Sequence, residues 1–264
     1  MSTFSTIIFT QSEGIARITL NRPQRLNALT DTMTRELAEA LDELAADKEA
    51  RVLIVTGAGR GFCSGRDYSQ VAAGERETKK TTESQPRVAS AAITLKLIGL
   101  EIPTIAMVNG AAVGGGFDYA LACDIRTGSE HARFQMTALR RGNMTGMGSS
   151  WLLPRMVGLG NAALLTLTAD FLEAKEAYRM GVLQRLVPAA ELETATMELA
   201  HRLAGLPTLA LREAKRLLYR GLHMDLEASL DYAATSLRFL ATTADFHEGA
   251  SAFQERRAAD FQGR

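Results

Sequence analysis

Two glycine-rich stretches carry most of the chemistry this sequence can offer. The first reads Gly57-Ala58-Gly59-Arg60-Gly61-Phe62-Cys63-Ser64-Gly65-Arg66-Asp67-Tyr68. The second reads Asn109-Gly110-Ala111-Ala112-Val113-Gly114-Gly115-Gly116-Phe117-Asp118. Neither fits G-x-G-x-x-G and no G-K-[ST] follows either, which sets aside dinucleotide and P-loop chemistry. Gly146-Met147-Gly148-Ser149-Ser150 likewise departs from the G-x-S-x-G nucleophile elbow. What glycine supplies is uncovered backbone N–H, and three glycines opening a helix place unpaired donors at the positive end of its dipole. Two such donors from separate turns, aimed at one point, would stabilise an oxyanion by roughly 3–4 kcal/mol each in a dry site. A thioester carbonyl becoming an enolate is a suitable guest. A glycine triplet also serves tight turns and close helix packing, so the triplet alone leaves both roles open.

The side chains near these turns narrow the options. Asp118 falls in the first turn of the helix that the triplet opens, where the dipole favours an acid by about 0.3–1 kcal/mol; it is also placed to handle a proton. His131, His201, His223 and His247 are scattered, and none has metal-ligand spacing with a cysteine or carboxylate, so no metal is expected. Cys63 and Cys123 have no base beside them and read as small packing residues. Trp151 reads as core.

The elements that must hold these groups are legible from periodicity. Ser5–Gln11 and Ile15–Asn21, separated by Glu13-Gly14, predict a hairpin. Thr30 or Asp31 caps a helix carrying Met33, Leu37, Ala40, Leu41 and Leu44. Val52–Thr56 and Pro103–Asn109 are apolar strands without alternation, as in a sheet covered on both faces, and Ile125–Thr127 continues the series. The polar stretch Gln70–Arg87 reads as a mobile surface segment. From Ser149 the pattern is helical, with Ser150–Val157, Asn161–Ala169, Glu173–Met180, Ala189–Ala204, Thr208–Gly221 and Leu226–Leu240 punctuated by glycines.

With 264 residues, 46% of them hydrophobic, and 30 Lys+Arg balancing 30 Asp+Glu, the chain has ample material for a core. The charge balance argues against nucleic-acid binding, and no apolar run reaches the length of a membrane span. The opening MSTFSTIIFTQSEG lacks a basic n-region and long apolar stretch, so a cytoplasmic protein with reduced thiols is expected.

In order and spacing the chain resembles the enoyl-CoA hydratase/isomerase (crotonase) superfamily along nearly its whole length. The resemblance rests on Asn21-Arg22-Pro23 to Asn27-Ala28-Leu29, on Val52–Tyr68, and on Ile102-Pro103-Thr104-Ile105-Ala106 to Asn109-Gly110. Ala112–Gly116, Ala122-Cys123-Asp124, Phe134, Leu153-Pro154-Arg155 with Gly158, and Ala174-Ala177 extend it, and Glu248-Gly249 to Phe261-Gly263 close it. It implies an α/β fold, a crotonase-like spiral of ββα units (1–205) holding an acyl-CoA site, with a C-terminal helical oligomerisation region (206–264). It also implies a homo-oligomer, trimer or dimer of trimers, and no cofactor beyond the CoA of the substrate. The oxyanion donors would be the main-chain N–H groups of Arg66 and Gly115, beside Gly114. Arg66 stands where the family usually has alanine, which keeps the amide and adds a cation near the mouth. Ser64, Gly65, Asp67 and Tyr68, together with Arg25, Leu26 and Ala28, match CoA-lining stretches. Phe253 and Arg256 match positions that reach a neighbouring subunit's CoA.

The acids break the family pattern. Family hydratases use two glutamates, one to activate water and one to deliver a proton. Here Asp118 takes the first place and Ala138 the second. Thr137, Arg140, Arg141, Asn143 and Thr145 are candidates to line the acyl end, and an arginine there could hold a substrate carboxylate bidentately. The expected activity is that of an enoyl-CoA hydratase acting on a thioester through an enolate. Isomerisation, decarboxylation, thioester hydrolysis and acyl-CoA binding without catalysis are the alternatives.

Overall fold

The computed structural model describes residues 4–67 and 89–264; Tyr68 and the stretch 70–87 lie outside them. β1 (Ile7–Ser12) and β2 (Ile15–Leu20) pair antiparallel across Glu13-Gly14, both at positive φ, as a tight two-residue hairpin turn requires. Thr30, rather than Asp31, caps α1 (Asp31–Ala46): its hydroxyl accepts from the Met33 N–H at 3.1 Å.

A strand–strand–helix unit then repeats. β3 (Val52–Gly57) and β4 (Gly61–Cys63) precede α2 (Ala89–Gly99). β5 (Thr104–Val108) and β6 (Ala111–Val113) precede α3 (Gly115–Ala122), and β7 (Ile125–Ser129) and β8 (Arg133–Gln135) precede α4 (Ser149–Val157). The first strand of each unit joins a six-stranded sheet of order β1-β2-β3-β5-β7-β10, parallel except at the β1–β2 hairpin. The second joins a smaller sheet of order β4-β6-β8-β9. This is the crotonase-like ββα spiral. The chain continues through α5 (Leu159–Thr168), β9 (Leu172–Glu173), α6 (Ala174–Arg179), β10 (Arg185–Val187) and α7 (Leu192–Ala204). α8 (Thr208–Gly221), α9 (Leu226–Leu240) and α10 (Ala244–Glu255) complete it.

The unbroken apolar strands are buried on both faces for a visible reason. Leu53 and Val55 of β3 face the main core, built with α1, α2 and α3, while Val52 and Ile54 pack with Leu192, Leu199 and Ala200 of α7. Three features escape periodicity. β4, β6 and β8 are three residues each and sit inside or beside the glycine-rich stretches. α2 is apolar nearly all round because it lies between α1 and α3, so it lacks a polar stripe. Residues 189–191 form a short 3-10 turn before α7, and α10 follows the last helix expected.

Two polar knots fix the frame. Asn27, fully buried at φ +56, donates its side-chain amide to the carbonyls of Ala58, Gly61 and Phe62 at 3.0, 2.8 and 3.2 Å and accepts from the Arg22 N–H at 2.9 Å. Lys215 of α8 donates to Asp124 at 2.7 Å and to the Ile102 carbonyl at 2.9 Å, and Tyr219 donates to Asp124 at 2.7 Å, clamping the C-terminal helices onto the core. Among the described residues no helix is long and apolar enough to cross a membrane.

Candidate active site

A cavity of about 640 Å³ opens between α1, the strand end at 65–66, the start of α3 and the segment 136–147. One wall is main chain. Leu29 and Arg66 form a parallel bridge in which the Leu29 N–H donates to the Gly65 carbonyl (2.8 Å) and the Asp67 N–H to the Leu29 carbonyl (2.9 Å). Leu29 thus uses both of its backbone groups, whereas the N–H of Arg66 faces the other way. Gly65, at φ +81, allows this strand to pass so close to the next turn that a Cβ would lie 2.6 Å from the Val113 carbonyl oxygen and 3.3 Å from the Gly115 nitrogen. α3 begins at Gly115, and its first intrahelical bond runs from the Asp118 N–H to the Gly114 carbonyl at 3.0 Å. Gly115 therefore holds an end-of-helix amide. Among the described residues, neither the Arg66 nor the Gly115 N–H donates to a protein acceptor. Gly116 cannot carry a side chain, since its Cβ would meet the Cys63 carbonyl oxygen at 2.2 Å, so α3 rests directly on the backbone of β4.

Asp118 lies on the same cavity and is 3% exposed. Its Oδ1 accepts from the Ser149 N–H at 2.7 Å, at the start of α4. Burial pushes the carboxyl above its ordinary pKa, and hydrogen bonding from Ser149 acts against that rise. Among the described residues the other carboxylate on the wall is Asp31, which is exposed at the head of α1. Ala138 lines the cavity and brings no acid to the second position of the family's pair.

The opposite wall is made of side chains. Thr137, Arg141, Asn143 and Thr145 line it, and Arg141 donates to the Thr137 hydroxyl at 2.9 Å. Arg140 does not belong here: it pairs with Asp170 at 2.8 Å on the exterior, because the 3-10 turn at 139–141 points successive side chains in different directions. Met136, Met144 and Met147 give this wall an adaptable apolar surface.

Of the remaining expected residues, Arg25, Leu26 and Ala28 run beside the cavity rather than along it. Ser64 joins them, its N–H and hydroxyl donating to the carbonyls of Leu26 and Arg25 at 2.9 and 3.2 Å. Asp67 forms an ion pair with Arg22 at 3.0 Å. Tyr68 lies outside the described residues. Phe253, 86% exposed, and Arg256 stand at the end of α10, off the cavity wall of their own chain. Cys63 and Cys123 are buried with thiols pushed up to about 12 by desolvation, too basic for nucleophiles. Trp151 is partly buried against the core, stacked on His223 and beneath the Arg155 guanidinium.

Sequence reasoning missed the contribution of α1, which presents Thr34, Arg35 and Ala38 to the cavity, and that of Ser149. The signal for Ser149 was present as the helix start after Gly148, masked by the mismatch of that segment with a nucleophile elbow.

The family model described as enoyl-CoA hydratase/isomerase matches residues 10–264. A Rhodobacter capsulatus protein named "Probable enoyl-CoA hydratase" is 38% identical over 263 residues, covering 99% of each chain. The 1,2-epoxyphenylacetyl-CoA isomerase of Escherichia coli is 34% identical over 257 residues, covering 96% of each. The crystal structure of an enoyl-CoA hydratase from Bacillus anthracis superposes with a TM-score of 0.92 at 30% identity, covering 98% of this chain and 100% of that one. Sequence, ββα spiral and main-chain-lined cavity agree, and the chain belongs to the enoyl-CoA hydratase/isomerase family of the crotonase superfamily.

Proposed function

We propose that the protein is an enzyme that moves a proton on an acyl-CoA thioester, with isomerisation of an enoyl chain as the reaction its cavity serves best. The thioester oxygen sits against the N–H groups of Arg66 and Gly115, which stabilise the negative charge as the α-proton leaves. Asp118 takes that proton from the α-carbon of a 3-enoyl thioester and returns it to the γ-carbon, so the double bond moves into conjugation and nothing is gained or lost. The observation that carries this reading is that, among the described residues, one buried carboxyl stands beside two amides that no protein acceptor uses, with alanine at 138. One carboxyl suffices for a proton that shuttles between carbons, whereas water addition draws on two. Apolar Met136, Met144 and Met147 suit an acyl chain. CoA enters as part of the substrate, over the surface formed by Arg25, Leu26, Ala28, Ser64 and Gly65.

Hydration is the second reading, favoured by the names of several relatives, among them the Clostridium acetobutylicum short-chain-enoyl-CoA hydratase at 32% identity. The experiment is to incubate the protein with 2-enoyl, 3-enoyl, malonyl-type and saturated CoA thioesters, reading product mass and the absorbance of the conjugated thioester. New conjugated absorbance at unchanged mass supports isomerisation. Gain of water, loss of carbon dioxide or release of free CoA would replace it with hydration, decarboxylation or hydrolysis. Binding without any product would make the protein an acyl-CoA binder.

We further propose that residues 1–205 form the acyl-CoA-binding core and that 206–264 assemble the protein as a homo-oligomer, a trimer or a dimer of trimers. Leu218, Leu226, Leu230, Leu237 and Phe253 are exposed along α8–α10, large apolar side chains that a subunit contact would cover. A monomeric mass by light scattering would sink that part.

A further inference from the structure

A buried hydroxyl beside Asp118 has no hydrogen-bond partner among the described residues. Ser149 is 2% exposed, its N–H bonds to the Asp118 carboxylate at 2.7 Å, and its Oγ makes no acceptable hydrogen bond with the protein. A buried unpaired hydroxyl is costly, so its presence beside a carboxyl asks for a reason. The local backbone is held independently of that hydroxyl. Thr94 of α2 donates to the Met147 carbonyl at 2.5 Å, and Gly148, at φ +121, packs against the Thr94 methyl. The N-terminus of α4 is therefore pinned from α2, with the amide of Ser149 fixed on Asp118 and its hydroxyl on the same residue, beside that carboxylate.

We propose that Ser149 is the positioning residue for Asp118, its amide and its hydroxyl together holding the carboxylate ionised and oriented toward the thioester. This rests on the reading of Asp118 as the proton-transfer group. Both donors favour the charged form, and the N-terminus of α4 adds its dipole in the same sense. The hydroxyl stands near enough to the carboxyl to oppose the rise that burial imposes on it. Among the described residues the other ionisable groups around Asp118 are Asp31 and Arg35 on α1, Arg66, Arg141, the phenol of Tyr119 and the thiol of Cys63. Burial keeps the last two neutral, and Ser149 substitutions leave all six in place. A serine in this place compensates for a proton-transfer group one methylene shorter than glutamate, which has less freedom to find its own partners.

The test uses Ser149→Ala, which keeps the amide and removes the hydroxyl, and Ser149→Thr, which restores it. With the thioester that the wild type turns over, the acid limb of kcat/KM should move up by about one pH unit in Ser149→Ala. KM should stay within about twofold, and Ser149→Thr should return the limb. The carboxyl is also followed without turnover, as the infrared band lost in Asp118→Asn, and should titrate about one unit higher in Ser149→Ala. If no thioester in the panel is converted, the proposed reaction falls while the infrared titration still decides the role of Ser149. An unmoved infrared titration in Ser149→Ala, or an equal shift in Ser149→Thr, would overturn the positioning role.

Discussion

The two walls of the cavity are built on different terms. On one side, 65–66 and 114–118 present main chain, with glycines enforcing the close approach of the two segments. On the other, 136–147 presents side chains, three of them methionines, on a largely exposed segment without long elements of its own. In the proposed reaction the first wall would do the part common to every thioester, polarising a carbonyl, which a backbone amide performs whatever residue carries it. The second wall would decide which acyl group fits, and its side chains can be changed one by one without altering the main chain of the first.

Experiments that break this contrast come first where the effect is largest. Asp118→Ala removes the carboxyl proposed as proton carrier on the main-chain wall; turnover should fall by about 10²–10⁴ with thioester binding within a few-fold, read as kcat beside a calorimetric Kd. Unchanged kcat would move the proton chemistry to the other wall. Next, Arg66→Pro deletes an amide that the Leu29 ladder does not use, and should lower kcat by about 10²–10³, against less than about tenfold for Arg66→Ala, which keeps the amide. Similar losses in both would show that the side chain, not the main chain, was acting. Gly116→Ala places a Cβ against the Cys63 carbonyl and should cost about 3 kcal/mol of stability, measured as a shift of the denaturation midpoint.

The smallest effect lies behind α1, which supplies the floor shared by both walls. The carboxylate of Glu36 accepts from the backbone N–H and hydroxyl groups of Ser5 and Thr6, at 2.5–2.9 Å. Burial opposes its ionisation, but these four bonds outweigh burial and hold it at about 2, below its ordinary 4.5. A lowered carboxyl pKa contributes stability that is fully present above 4.5 and disappears as pH falls toward 2. Glu36→Gln should therefore flatten the pH dependence of Tm in that interval, by calorimetry; a slope equal to that of the wild type would mean other groups carry it.

How much of this was legible depended on which physical signal each part leaves. The buried parallel strands Val52–Thr56 and Pro103–Asn109 announced themselves as apolar runs, and the cap of α1 as Thr30 or Asp31, because burial and capping are local; the structure chooses Thr30. The glycine triplet was legible as an amide donor because missing side chains are visible in a sequence. β4, β6 and β8 were hidden, since three residues cannot display a period. α2 was hidden for a different reason: apolar nearly all round, even at exposed Leu95, it has no polar stripe to set a period. Arg140 and Arg141 were indistinguishable as neighbours, and only the 3-10 turn sends one to Asp170 and the other to Thr137. Ser149 needed tertiary contact, thirty-one positions from Asp118, to acquire meaning.

Asn27 shows what such an architecture exposes to chance. Its amide nitrogen serves three carbonyls, Ala58 on the β3–β4 connection and Gly61 and Phe62 on β4, while its oxygen takes a fourth backbone group, and the segment that leads to Leu29 hangs from it. Aspartate has the shape without the donors; glutamine has the donors on too long a stem. A substitution there would leave the lining of the cavity untouched and still slacken the peptide plane that carries the Arg66 nitrogen. Surveys that score variants by activity alone would then rank as chemical a residue whose only task is carpentry.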